Sequence, residues 1–270
     1  MANKKSPRQR DAARAREARE AALRARKRKA ERRKLGIVVF TAVLLVLGIS
    51  AFVVTDGPGT DVESTGTIPT GTPVSLSPVP PGATVEGSTP CPPTDGTALR
   101  TTVFSQAPPM CIDPAKRYSA EVTTSKGRLT IELDARAAPV TVNSFVVLAR
   151  YKYFDGIPFH RIIPGFVVQG GDQTATGRGG PGYQFEDELP AAGAYEVGSV
   201  AMANSSAPGT NGSQFFIVTG PAGVTLPPQY SLFGKVSEGM ETVRAIEEAG
   251  TPGGQPTQVV TITSVTIKES

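Results

Sequence analysis

The sequence predicts a mainly β domain, a closed barrel of short strands with two helices, at the C-terminal end of a chain that begins with a basic tail and an apolar span. Three observations predict it. Residues 116–270 carry a succession of short segments in which apolar and polar residues alternate, divided by Gly-rich turns, with only two stretches of helical spacing. Residues 35–54 are a run of twenty residues without a charge. Between them, residues 55–93 are rich in Gly, Pro, Ser and Thr and have almost no periodic apolar pattern. Many strands with few helices favour a closed barrel over an alternating βαβ fold.

The formal net charge of +4 conceals a division: residues 1–34 hold 15 of the 28 Lys and Arg but only 4 of the 24 acidic residues. The basicity belongs to a tail. The remainder is net negative and lacks the dense basic stripe on which a phosphate backbone could lie, so nucleic acid is not an expected partner. With one histidine, His160, and two cysteines, Cys91 and Cys111, the chain lacks the ligands of a His/Cys zinc site, and no metal or cofactor is expected. A Ser/His/Asp triad would have to use His160, and no G-x-S-x-G turn presents a nucleophile.

In chain order, residues 12–34 are, apart from Leu23, all Ala, Arg, Lys and Glu without an apolar stripe, a solvated polybasic tail. The run LGIVVFTAVLLVLGISAFVV at 35–54 would be about 30 Å long as a helix, the thickness of a bilayer's hydrocarbon core, and reads as a single-pass signal-anchor. A buried core helix fits poorly, because Arg32, Arg33 and Lys34 abut a run that is apolar all round. These charges put the tail in the cytoplasm and everything after residue 54 outside it. A cleaved signal peptide competes with the anchor; against it stand the length of the run, the tail before it and the lack of an A-x-A-like site.

Residues 55–93 read as a linker that its prolines keep partly extended. Residues 94–115 form a pre-domain segment that Cys91 and Cys111 could pin to the next domain. In an oxidising compartment the pair would form a disulfide closing a loop of about twenty residues, and elsewhere it would remain two thiols. Residues 118–124 and 128–133 alternate around Lys126 and Gly127 as a β-hairpin. Residues 138–151 have helical spacing, with Val142, Phe145, Val146 and Ala149 on one face. Strands follow at 165–169, 198–203, 214–218, 231–236 and 259–267, and a second helix at 240–249 is closed by Gly250 as its C′ residue. Asn211 and Gly212 read as a turn suited to positive φ.

Three segments are more specific. FHRIIPGFVVQGGD at 159–172, SVAMAN at 199–204 and GTNGSQFFIVT at 209–219 resemble the signature motifs of the cyclophilin-type peptidyl-prolyl cis-trans isomerases, and the resemblance covers roughly residues 116–270. It implies an eight-stranded antiparallel β-barrel capped by two helices, with a peptide groove outside the barrel. The Gly-rich stretch 177–188 lacks the Lys-Ser/Thr of a phosphate-cradling loop and reads as a surface loop bordering that groove.

The implied chemistry suits the residues. Rotating an X–Pro bond breaks amide resonance, a barrier of about 18–20 kcal/mol, without making or cleaving a bond, so neither nucleophile nor metal is needed. A site helps by favouring the twisted amide: a donor to the imide nitrogen, an apolar pocket for the ring, and partners for the flanking backbone. By resemblance, Arg161 is that donor. The same resemblance gives Phe166, Phe216 and Leu226 to the proline pocket, Gln169 and Gln214 to orienting Arg161 and the substrate, and Ala203 and Asn204 to the peptide backbone. Alone, Arg161 would read as a surface cation and the two phenylalanines as barrel interior; their places in the motifs reverse this. His160 reads as scaffold, since its neighbour supplies the donor.

Two positions depart from many members of the family: Val167 stands where they have Met and Tyr230 where they have His. The loop 220–230 has no aromatic before Tyr230 and the chain has no Trp, the residue through which the family holds cyclosporin, so weak cyclosporin binding is expected. The resulting expectation is a membrane-anchored isomerase, a monomer, acting on Pro-containing polypeptides as they fold outside the cytoplasm. A non-catalytic chaperone or scaffold of the same fold is the alternative, and Arg161 argues against it. A third reading makes the basic tail the functional part, recruiting anionic lipid or a cytoplasmic partner.

Overall fold

The computed structural model describes residues 71–270. The expected basic tail, the transmembrane span and residues 55–70 of the linker lie outside the described residues. Among those described, no helix is long and apolar enough to cross a membrane.

The hairpin expected from alternation forms as β3 (Tyr118–Thr124) and β4 (Gly127–Leu133), with Tyr118 opposite Leu133 and Thr124 opposite Gly127. Its alternation buries Ala120, Val122, Leu129 and Ile131 on one face. The chain continues through helix α1 (Pro139–Arg150), β5 (Arg161–Ile163), β6 (Val167–Gly170), β7 (Ser199–Met202), β8 (Phe215–Val218), the short helix α2 (Pro221–Val224), β9 (Leu232–Glu238), helix α3 (Met240–Glu247) and β10 (Ile262–Glu269). Strands β3 to β10 form one eight-stranded antiparallel sheet in the order β10-β3-β4-β9-β7-β8-β6-β5.

The ladder stops short of the closed barrel the sequence predicts. Between edge strands β5 and β10 runs a seam carried by an isolated bridge, Pro158 with Thr261, and by single backbone bonds such as Phe159 N–H to Val260 O (2.9 Å) and Ile162 N–H to Gly254 O (2.8 Å). The physical reason is proline: Pro158 has no N–H to donate, and Pro164 immediately follows β5 and holds it to three residues. β5 is itself a strand that the sequence reading passed over, having begun its strand at 165.

Inside the curl, Phe145 of α1 lies 5.0, 5.7 and 5.3 Å from the rings of Phe154, Phe215 and Phe233. Each buried phenylalanine stabilises the fold by about 1.5–3 kcal/mol through the area it removes from water. The expected face of α1 is buried, but so are Asn143, Ser144, Val147 and Leu148. Gly250 is no C′ residue in the left-handed region; it lies where a Cβ would come within 2.7 Å of the Ile162 carbonyl oxygen, so it lets the chain after α3 pass close to β5. Asn211 and Gly212 are likewise no positive-φ turn: Asn211 bridges Phe185, and Ser206 and Gly209 take the positive φ instead.

Residues 71–93, expected as part of a structureless spacer, are docked on the domain. β1 (Ala83–Val85) pairs in parallel with β2 (Thr101–Phe104), and Cys91 is disulfide-bonded to Cys111, their Cα atoms 5.4 Å apart. The order comes from distant partners. Val74 N–H donates to Pro256 O, Val79 N–H to Gln173 O and Thr101 N–H to Tyr151 O, each at 2.9 Å. The Asn143 side chain accepts from Cys111 N–H (2.7 Å) and donates to Pro109 O (2.9 Å), which is why the second face of α1 is covered.

Candidate active site

Alternation along the strands sorts the side chains into two clusters. On β8, Phe215 and Ile217 point into the main core, whereas Phe216 and Val218 join a separate outer cluster. On β6, Val168 faces the core and Val167 the outer cluster; on β7, Val200 and Met202 face in and Ala201 out. The outer cluster is completed by buried Tyr195 and by the partly buried Phe166, Ala203, Val224, Leu226, Tyr230 and Leu232. It is an apolar dish on the outside of the curled sheet. Phe216 and Tyr230 meet edge to face with centroids 5.3 Å apart. One wall is fixed by close packing of α2, whose Gly223 admits no side chain beside the Phe166 carbonyl.

A line of polar groups runs along the edge of the dish. Arg161 on β5 stands opposite Gln169 on β6 and donates from Nη1 to its Oε1 at 3.4 Å. Gln169 donates to Gln214 Oε1 (3.0 Å), and Gln214 donates to the carbonyl of Gly179 (2.9 Å). Each glutamine thus has its amide orientation set by the next partner. The Arg161 guanidinium carbon sits 5.4 Å from the Phe166 ring centroid, a cation held over an aromatic face at the mouth of the apolar dish. Burial draws its pKa below the ordinary value, and the group remains a cation at neutral pH.

The carbonyl that ends this line belongs to a loop organised by Asp172. Its buried carboxylate accepts from Thr174 N–H and hydroxyl (2.7 Å each), Thr176 N–H (3.0 Å) and Gly177 N–H (2.6 Å). Burial works against its ionisation, but the Thr174 hydroxyl and amide outweigh it and hold the pKa below the ordinary carboxylate value. Beside the loop opens a cleft of about 320 Å³ lined by Gln169, Gly179, Tyr183, Ala203, Asn204 and Gln214 among others. Asn204 donates to Gln229 O (2.8 Å) and accepts from Ser206 N–H (3.0 Å), tying the loop after β7 to the loop before β9.

All the residues predicted from the motifs therefore meet on one outer face: Arg161, Gln169 and Gln214 in the polar line, Phe166, Val167, Phe216, Leu226, Tyr230 and Ala203 in the dish, and Asn204 at their junction. His160 is half-buried, neither ring nitrogen has a hydrogen-bond partner among the described residues, and burial lowers its pKa. A larger cavity of about 760 Å³, lined by ends of β3, β4, β9 and β10 and by residues 188–196, contains none of these residues. Sequence reasoning missed Tyr195, whose hydroxyl donates to Tyr230 O (2.7 Å) and accepts from Tyr230 N–H (3.1 Å), and missed Gly179 as the anchor of Gln214. No local pattern marks either residue.

A curled antiparallel sheet that carries its candidate site on the outside, with an apolar dish and one oriented cation at its rim, defines a half-barrel that sets a fixed positive charge beside a pocket for an apolar group. The chain belongs to the cyclophilin-type peptidyl-prolyl cis-trans isomerases: residues 119–267 match the family described as cyclophilin type peptidyl-prolyl cis-trans isomerase/CLD. It is 42% identical over 173 residues to peptidyl-prolyl cis-trans isomerase A of Mycobacterium tuberculosis, covering 57% of this chain and 94% of that one. Over a longer stretch of 210 residues it is 36% identical to the probable peptidyl-prolyl cis-trans isomerase B of the same organism, covering 70% and 67%. It is 46% identical to peptidyl-prolyl cis-trans isomerase-like 2 of Cryptococcus neoformans over 161 residues, but spans only 28% of that protein's length. Among solved structures, a Cryptosporidium parvum cyclophilin superposes with a TM-score of 0.52 at 32% identity, covering 57% of this chain and 99% of that one.

Proposed function

We propose that this chain is a membrane-anchored peptidyl-prolyl cis-trans isomerase that speeds the folding of extracytoplasmic polypeptides, with Arg161 as the donor that stabilises the twisted X–Pro amide. As the C–N bond rotates out of conjugation, the imide nitrogen regains a lone pair and becomes an acceptor. A guanidinium N–H directed at that nitrogen binds the twisted state more tightly than either planar isomer, which is what acceleration requires. The proline ring sits in the dish of Phe166, Val167, Phe216, Leu226 and Tyr230. The backbone of Ala203 and Asn204 aligns the peptide, and Gln169 and Gln214 hold Arg161 and the substrate carbonyl in register.

The single observation that carries this reading is the Arg161 guanidinium, held by Gln169 and lying over Phe166 at the rim of an otherwise apolar pocket. A solved Cryptosporidium parvum cyclophilin in the presence of the dipeptide Ala-Pro, 33% identical, adds support for a Pro-containing ligand. The experiment is a protease-coupled assay on a Pro-containing tetrapeptide, comparing the parent with Arg161→Ala. Loss of a preorganised donor predicts a fall in kcat/KM of about a hundredfold or more, and equal rates would sink the catalytic assignment.

For the location, the uncharged run at 35–54 with its basic flank supports a single-pass anchor, cytoplasmic at its N-terminus. The Cys91–Cys111 disulfide fits an oxidising compartment for the domain. Proteolysis of intact cells or spheroplasts, read with antibodies to each end, tests this: protection of the C-terminal end refutes it. The domain acts as a monomer, needs no cofactor, and binds cyclosporin weakly because the 220–230 loop offers no Trp. Nanomolar binding of the drug would overturn that last point.

A further inference from the structure

The docked segment 71–112 reaches the polar line of the site through one loop. Residues 172–184 are held near both ends by backbone N–H groups of this segment: Val79 N–H donates to Gln173 O (2.9 Å) and Phe104 N–H to Pro181 O (2.8 Å). The Phe104 ring, 1% exposed, packs edge-on against Tyr183 and Tyr151 with centroids 6.2 and 5.3 Å away. The Tyr183 hydroxyl in turn pairs with Ser144 on α1 at 2.9 Å. Between these grips the loop is tied internally by Gln173 Nε2 to Gly180 O (3.2 Å) and by the Asp172 carboxylate. From its middle, the Gly179 carbonyl accepts from Gln214, and the chain of amides continues to Gln169 and Arg161.

Phe104 itself lies within the loop that the Cys91–Cys111 bond closes, and Cys111 N–H is fixed by Asn143 of α1. The N-terminal segment, the disulfide and the catalytic cation are thus connected by consecutive contacts, none of which involves the proline pocket.

We propose that residues 71–112 are a positioning element for the isomerase site. Phe104 and the two backbone donors fix the 172–184 loop, the loop fixes Gln214, and the Cys91–Cys111 disulfide keeps Phe104 seated, so the redox state of this cysteine pair sets the catalytic rate. This rests on the assignment of Arg161 above. A dithiol reductant delivers two electrons and two protons to the Cys91–Cys111 bond and is itself oxidised to a cyclic disulfide. The two freed thiols then let β2 and Phe104 withdraw, and Gln214 loses its fixed acceptor.

The test uses the full chain in three forms: oxidised, reduced with dithiothreitol then alkylated and freed of reagent, and oxidised Phe104→Leu. Each is measured with Gln214 intact and with Gln214→Ala. With Gln214 intact, reduction and Phe104→Leu each lower kcat by about fivefold with KM little changed, the cost of loosening an aligned group while the pocket stays formed. In the Gln214→Ala background neither perturbation causes a further loss, because the link it would break is already gone. Reduction acts on a chain already folded, so the result does not depend on a variant reaching its native state. Unchanged kcat on both perturbations, or equal losses in the two backgrounds, overturns the proposal. Arg161→Ala run in parallel separates the two levels: if it is as active as the parent, the site assignment fails; if it is inactive while the losses are equal in both backgrounds, only the positioning role fails.

Discussion

Replacing Asp172 with Asn probes how the loop behind the polar line is held. The carboxylate is fully buried and takes four donors, at 2.7 and 2.7 Å from Thr174, 3.0 Å from Thr176 and 2.6 Å from Gly177. Asparagine retains one acceptor oxygen, which can keep the Thr174 pair, but its NH₂ group must then face the N–H groups of Thr176 and Gly177. Two charge-assisted bonds at about 1.5–2 kcal/mol each are lost, giving a destabilisation of about 3–4 kcal/mol. That is a large share of the ~5–15 kcal/mol by which domains are typically stable. Urea unfolding followed by far-UV circular dichroism is the assay, since the chain has no Trp to report by fluorescence. Acid adds a second reading. A carboxyl whose folded pKa lies below its ordinary 3.8 contributes stability that is present above that pH and lost as pH falls through the folded value. Asp172→Asn removes that part of the acid loss. A variant within about 1 kcal/mol of the parent at neutral pH, or one with the parent's full acid dependence, would refute the role assigned to the carboxylate.

Three further outcomes are expected. Gly223→Ala puts a Cβ within 2.5 Å of the Phe166 carbonyl oxygen and 2.8 Å of Val218 Cγ1, so it displaces the pocket wall and lowers kcat/KM about tenfold; an unchanged rate means the wall is softer than its packing indicates. His160 is the single histidine, so its proton NMR titration is unambiguous, and its midpoint falls below 6.5. Because burial depresses that pKa, the unfolded chain binds the proton more readily, and the His160 contribution to stability is full above 6.5 and declines below it; a midpoint above 6.5 contradicts this. Reduction of Cys91–Cys111 lowers the unfolding free energy by about 3 kcal/mol, the constraint of a loop of this size, and coincident urea curves for oxidised and reduced chains would argue that the reduced chain stays equally confined.

The elements that the sequence made legible are those with a local signature. The β3–β4 hairpin declares itself by strict alternation, and the bounds expected for it hold to within one residue. α1 was visible from its spacing, but not the burial of its second face, since nothing in residues 138–151 encodes the arrival of Pro109 and Cys111. β5 escaped because three residues, Arg161 to Ile163, are too few to show a period. The docked segment escaped for another reason: its composition is that of a spacer, and its order is lent by carbonyls a hundred or more residues away in some cases, as with Val74 and Pro256. At the site every residue expected from the resemblance lies on one face, including Leu226 and Tyr230 in the loop that follows the last motif. What the motifs could not reveal were partners outside them, Gly179 and Tyr195, which act through a backbone carbonyl and a hydroxyl that any sequence could supply.

The outward aim of Phe216 between the inward Phe215 and Ile217 has a genetic corollary. Point substitutions on β6 and β8 can retune the outer dish while the interior is left alone, so ligand preference and folding free energy can drift separately. A single-codon insertion or deletion in either strand has no such latitude: it would turn the recognition surface inward and the interior outward at once. Variation in this chain's lineage should therefore accumulate on these two strands as replacements, with length changes confined to the loops that join them.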